Sequence, residues 1–150
     1  MLTDGDVIRN LLGTYCRLVD AGDFAGIGRL MADARVCDES GTVLASGSEQ
    51  IAGLYRSLTR RYDDGTPLTQ HVLTNTILEP VDDERVVARS SYLVLQATPD
   101  LPLQPIITGS YVDTFVRTNG ADRWRFEERR FGLGRTGDVT QHLTIPLEQR

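Results

Sequence analysis

The stretch TQHVLTN, from Thr69 to Asn75, holds one of only two histidines in the 150-residue chain. Imidazole is the side chain whose ordinary pKa lies near neutrality, so His71 is the natural starting point for proton-transfer chemistry. The stretch has the residue types of a β-strand, which puts Leu73, Asn75 and Ile77 on the same side as His71. His71 and Asn75 then stand about 13 Å apart, at ~3.3 Å per residue, lining one wall without touching. The ordinary alternative is a half-buried sheet histidine with one satisfied nitrogen.

Other polar groups fall on later strands. Tyr111, Asp113, Phe115 and Arg117 share one strand face, so that face is either solvated or a polar patch inside a cavity. Arg129 and Arg130 point to opposite sides. Arg130 has the parity of Trp124 and Phe126 and is the candidate anchor for an anion or an oxygen. Other chemistries find little support. Neither Cys16 nor Cys37 has a neighbouring histidine, and no GxSxG occurs. His71 and His142 lack HxH or HExxH spacing, so no metal is expected. GLGRTG (Gly132 to Gly137) satisfies GxGxxG, but no helix and second strand follow it, so it reads as a flexible strand exit.

Composition narrows the field further. A formal charge of −5 with no basic cluster disfavours nucleic acid as a partner. All sixteen basic residues are Arg, which excludes Schiff-base lysine chemistry, lysine-anchored pyridoxal phosphate and a Walker-A lysine. No apolar run has the length of a membrane span, and the N-terminus lacks the pattern of an export signal. Two isolated thiols suit a reducing cytoplasm, the expected location. A single domain covering residues 1–150 is expected, with enough chain to bury a core.

The elements that must position these groups come in two blocks. Apolar residues at three-to-four spacing predict a helix from Thr3 to Ala21, with Thr3 or Asp4 as cap and Gly22 as its end. Asp23 can cap a short second helix. A hairpin about Ser40-Gly41 follows, then a third helix capped by Ser48. After Gly65 the period changes to two. Strands are expected over Thr69–Glu79, Arg85–Ala97, Ile106–Arg117 and Arg123–Leu133. Pro99 to Pro105 reads as a loop and Asn119-Gly120 as a hairpin turn. Helices followed by a long antiparallel meander mean an α+β fold, with helices on one face of a sheet long enough to curl.

Three motifs carry a family resemblance. YCRLVDAGDF is similar to the first-helix signature of the SnoaL-like branch of the NTF2-like superfamily. TQHVLTN is similar to the strand that carries the branch's histidine, and GSYVDTFVR with WRFEERRF is similar to its last hairpin. The resemblance implies an NTF2-like cone, with N-terminal helices packed on a strongly curved, mostly antiparallel sheet around a pocket. The branch includes scytalone dehydratase, a hexachlorocyclohexane dehydrochlorinase, bile-acid dehydratases and polyketide cyclases. In several of them an Asp on the first helix and a His on the strand form a cofactor-free acid–base dyad. By resemblance Asp20 and His71 hold those positions, and Tyr15 matches an assisting tyrosine. Gln96 stands where scytalone dehydratase has a second catalytic histidine.

The resemblance thus implies a cofactor-independent lyase, isomerase or cyclase for a small, largely apolar, cyclic substrate. His71 would be the base, Asp20 its orienter and Tyr15 the group that polarises a carbonyl or leaving group. Asn75, Gln96, Tyr111, Arg130 and Trp124 are the expected substrate contacts. The alternative is a noncatalytic ligand-binding or oligomerisation module on the same fold. One observation in the sequence runs against the dyad. On an ideal helical wheel Asp20 falls about 145° from the apolar stripe, toward solvent. Its carboxylate would also oppose the helix dipole. A homo-oligomer, dimer or trimer, is expected because Val87, Leu93 and Leu95 make the outer sheet face apolar.

Overall fold

The structure is a computed structural model that describes residues 1–118 and 123–147. Three helices, α1 (Asp4–Asp20), α2 (Phe24–Leu30) and α3 (Gly47–Leu58), pack on one six-stranded sheet. The strands are β1 (Arg35–Cys37), β2 (Val43–Ser46), β3 (Thr69–Asp82), β4 (Arg85–Thr98), β5 (Leu101–Val116) and β6 (Arg125–Thr136). Their spatial order is β2-β1-β6-β5-β4-β3. Every pairing is antiparallel except that of β1 with β6.

The helix boundaries follow from capping chemistry. Thr3 and Asp6 form a reciprocal capping box that satisfies two orphan N–H groups at the start of α1. Gly22, at φ +70°, takes the left-handed turn beyond its end. Asp23 then caps α2 by accepting from the Gly26 N–H at 2.8 Å. α3 begins one residue before the expected Ser48 cap, because Gly47 at φ +77° lets the chain turn straight from β2 into helix. The buried face of α1 (Ile8, Leu12, Tyr15, Val19) and Ile27 and Ile51 from α2 and α3 close against Val94, Ile106 and Phe115 on the concave side of the sheet.

Two of the sheet's β-bulges decide which side chains of β3 and β6 face that concave side. In β3, Thr74 pairs with Ser91 and Ile77 with Arg89, so Asn75 and Thr76 together oppose Ser90. Asn75 takes up the extra residue at φ +54°, and Thr76 turns inward to share a 3.0 Å hydroxyl contact with Ser90. In β6, Phe126 pairs with Phe115 and Glu128 with Thr114, leaving Glu127 as the extra residue. Beyond it the inward set is Arg129, Phe131 and Leu133. Val87, Leu93 and Leu95 lie on the convex face, half-buried.

The second half departs from the expected boundaries in two places. β5 starts at Leu101 and runs through Pro102 and Pro105, where a loop was expected. The strand tolerates both prolines because β6 pairs with β5 only from Ile107 onward, leaving the earlier part without a partner on that side. GLGRTG is not a flexible exit: β6 continues to Thr136, with Gly132 opposite Ser110. The expected turn at Asn119-Gly120 lies outside the described residues. Among the described residues no helix is long and apolar enough to cross a membrane.

A buried ion pair sits at the centre of the concave face. Arg129 Nε and Nη2 donate to the two carboxylate oxygens of Asp113 at 2.7 and 2.9 Å, with the side chains 1% and 0% exposed. The guanidinium is stacked between Tyr15 and Tyr111, at 3.9 and 3.8 Å from their ring centroids. Burial works against its charge, but Asp113 and the tyrosines outweigh that and hold its pKa well above the ordinary value. Removing one partner of such a pair strands the other. Arg129→Met is expected to cost about 3–5 kcal/mol in urea unfolding, and Asp113→Leu in the same chain to restore a large part of it.

Candidate active site

The last residue of α1 meets the first residues of β3. The His71 N–H donates to Asp20 Oδ2 at 2.7 Å, and the Thr69 hydroxyl donates to Oδ1 at 2.9 Å. His71 Nδ1 lies 2.6 Å from Oδ1. A carboxylate only accepts, so Nδ1 carries the proton and the lone pair of the neutral ring sits on Nε2. The three bonds also supply what a carboxylate at a helix C-terminus lacks, a set of donors to offset the dipole. The wheel misplaced Asp20 because it measures angle from one stripe. β3 is an edge strand that packs along α1, so a residue well off the stripe still meets protein. The Asp20 and His71 side chains are 20% and 7% exposed.

His71 stands in the wall of a cavity of about 130 Å³. Tyr15, Tyr55, Tyr92, Tyr111, Val36, Leu54, Val94, Ile107, Phe131 and Leu133 supply most of its aromatic and aliphatic lining. The Tyr15 ring lies edge-on to His71, centroids 6.5 Å apart. The Tyr55 hydroxyl donates to that of Tyr15 at 3.0 Å, which leaves the Tyr15 proton free for a ligand. Tyr92 stacks on Tyr111 at 4.3 Å and donates to the Gly132 carbonyl. Gly109 makes room for it, since a Cβ there would lie 2.4 Å from the Tyr92 ring. Burial pushes the Tyr92 phenol up to about 12 and those of Tyr15 and Tyr111 well above their ordinary value. These phenols are therefore neutral hydrogen-bond donors at physiological pH.

Of the residues singled out in the sequence, the structure brings Tyr15, His71 and Tyr111 to the cavity and Asp20 against His71. Four others lie off its wall. Asn75 is turned outward to solvent by the β3 bulge. Arg130 is turned outward by the β6 bulge and pairs with Glu128 at 2.5 Å. Trp124 is buried near the opposite end of the sheet, beneath the Arg117 guanidinium at 4.8 Å. Gln96 is fully buried, but its Nε2 donates to the carbonyls of Pro67 and Gln141 at 3.0 Å each, so it ties down chain segments.

Arg129, Tyr55, Tyr92 and His142 were not anticipated. Arg129 had a readable signal: the apolar phase of β6 is even at Trp124 and Phe126 but odd at Phe131 and Leu133, and only a bulge between them allows that. His142 had none, because it lies on an irregular segment. This strap is held by its backbone. The Arg60 N–H donates to the His142 carbonyl at 2.8 Å, Thr144 N–H to Leu58 at 3.0 Å, and both Tyr62 and Gln96 donate to the Gln141 carbonyl. The strap thereby sets the His142 ring in the cavity wall, 6.4 Å from that of His71.

Burial, and then the neighbouring His71, depress the His142 pKa to about 4 from 6.5. Between those values the unfolded chain binds a proton that the native one does not. This contribution to stability is complete above pH 6.5 and is lost as pH falls through 4. Its size is roughly 3 kcal/mol at 1.36 kcal/mol per unit. Urea unfolding between pH 7 and 4 is expected to show the loss, and His142→Leu to remove that part of the pH dependence.

A search of curated proteins finds no match. Solved structures do match in fold. A Novosphingobium aromaticivorans protein provisionally named scytalone dehydratase is 21% identical, with a TM-score of 0.66 over 88% of this chain and 85% of that one. An NTF2-like protein of the same organism is 23% identical, with a TM-score of 0.67 over 87% and 81%. ActVI-ORFA from Streptomyces coelicolor is 20% identical, with a TM-score of 0.68 over 85% and 95%. The curled sheet with its three helices is thus the NTF2-like cone. The family model described as "SnoaL-like domain" matches residues 1–130, and the chain belongs to that family.

Proposed function

We propose that the chamber is the active site of a cofactor-independent acid–base enzyme, of the lyase, isomerase or cyclase type, acting on a small uncharged ring. The observation that carries this reading is His71 held by Asp20 through Nδ1 in the wall of an apolar cavity. His71 Nε2 takes a proton from a carbon next to a carbonyl. Asp20 stabilises the imidazolium that forms. The free Tyr15 proton makes a hydrogen bond to the carbonyl oxygen as negative charge develops there. Tyr92 and Tyr111 offer aromatic faces to the ring.

Size and charge restrict the substrate. The cavity is close to the roughly 150 Å³ space known to hold a benzene molecule, so one ring fits. The buried cation, Arg129, is already paired with Asp113 and stacked against the tyrosines, so nothing in the lining favours an anionic substrate.

Proton abstraction can be read without knowing the natural substrate. Cyclic ketones incubated with the protein in D₂O are expected to exchange their α-protons faster than in buffer. His71→Ala and Asp20→Asn are each expected to lower that exchange by about 10²–10⁴-fold, the range of a general base and its orienter. Rings that bind but exchange at the buffer rate would leave the chamber a ligand-binding site without chemistry.

A further inference from the structure

We propose that His142, delivered by the C-terminal strap, is a recognition subsite for a hydroxyl or carbonyl oxygen on the ring. The preferred ligand class is then a monocyclic alcohol, phenol or ketone, as opposed to a plain hydrocarbon ring. The inference rests on the chamber being the ligand site.

Three observations carry it. The first is an asymmetry in how the strap is held. Its backbone is tied by bonds to Arg60, Leu58, Tyr62 and Gln96, and the His142 N–H donates to the Val139 carbonyl at 3.0 Å. The His142 side chain takes no part in this. Its Nδ1 is buried without a partner, and the ring makes no side-chain hydrogen bond among the described residues. Protein interiors avoid leaving such a group unpaired. A ring that does nothing for the strap, yet is fixed in the cavity wall, is available to a ligand.

The second observation is position. His142 is 6% exposed and shares the cavity with His71, at a ring separation that one oxygen making two hydrogen bonds can bridge. The third is charge. Burial and His71 keep His142 neutral, so it can both donate and accept, and it stays neutral when His71 takes up a proton.

The subsite also fits an elimination. With a β-hydroxy ketone, the α-proton passes to His71 Nε2 and its bonding pair forms the C=C bond. The C–O bond then breaks, and the proton on His71 leaves with the hydroxyl as water. A His142 N–H donates a hydrogen bond to the departing oxygen and undergoes no net change.

The test compares phenol with benzene as binding probes, by calorimetry and by ¹H–¹⁵N spectra of the two imidazoles. Wild-type protein is expected to bind phenol at least fivefold more tightly than benzene, the worth of about one hydrogen bond, with the His142 nitrogens shifting. His142→Leu should keep benzene affinity within about twofold and lose the preference. His142→Gln, which keeps a donor, should retain part of it. Equal affinities in the wild type, a preference that survives His142→Leu, or shifts confined to His71 would overturn the proposal. Binding is read without turnover, so the two readings fail separately. A retained phenol preference with no His71-dependent proton exchange would remove the base role and leave the subsite. The reverse result would do the opposite.

Discussion

A guanidinium sealed inside a small domain must be neutralised, and the pairing of Arg129, whose Nη1 alone stays buried without a partner, orders much of the concave face. Asp113 takes two of its donors from the neighbouring strand. Tyr15 from α1 and Tyr111 from β5 cover its two faces. One side chain therefore links the first helix to the two central strands. Tyr15 is held from behind by the cation, bonded by Tyr55 and set edge-on to His71. The cation stays behind the tyrosines, so the chamber wall is built of phenol and imidazole rings and aliphatic side chains.

The same economy appears where α1 ends. A carboxylate at a helix C-terminus is unfavourable alone. Asp20 is tolerated because β3 starts there with a hydroxyl, a backbone N–H and an imidazole in reach. Leu68, at φ +56°, stands immediately before this segment, and Asn75 at φ +54° follows it. The stretch that raises the question of chemistry is thus bracketed by two residues in the left-handed region. Backbone in that region persists only where its surroundings hold it.

Much of this was legible beforehand, and the failures share a cause. Capping residues and apolar spacing located α1 and α2 closely, since both depend on neighbours in sequence. The strands were found as well, though not all their limits. Which way their side chains point was another matter. Asn75 and Arg130 were assigned to the interior by counting in twos, and one extra residue in each strand reversed the count. The helical wheel turned Asp20 toward solvent, against the place the resemblance gave it beside His71, because a wheel cannot see a sheet that comes round the helix. Gln96 sits in the core, yet its amide is spent on the carbonyls of Pro67 and Gln141. His142 depends on a strap held by contacts from distant parts of the chain, which no local pattern encodes.

The β6 bulge has a consequence for how such a chain can change over time. Glu127 and Glu128 fall between Phe126 and Arg129, and both turn toward arginines: Glu127 to Arg85, Glu128 to Arg35 and Arg130. Deleting either glutamate would restore simple alternation, with Phe126 and Arg129 still inward. Length variation at this point would therefore be read out on the convex surface alone. The outer face could acquire or lose charge pairs, and with them neighbours, while the chamber kept its inheritance.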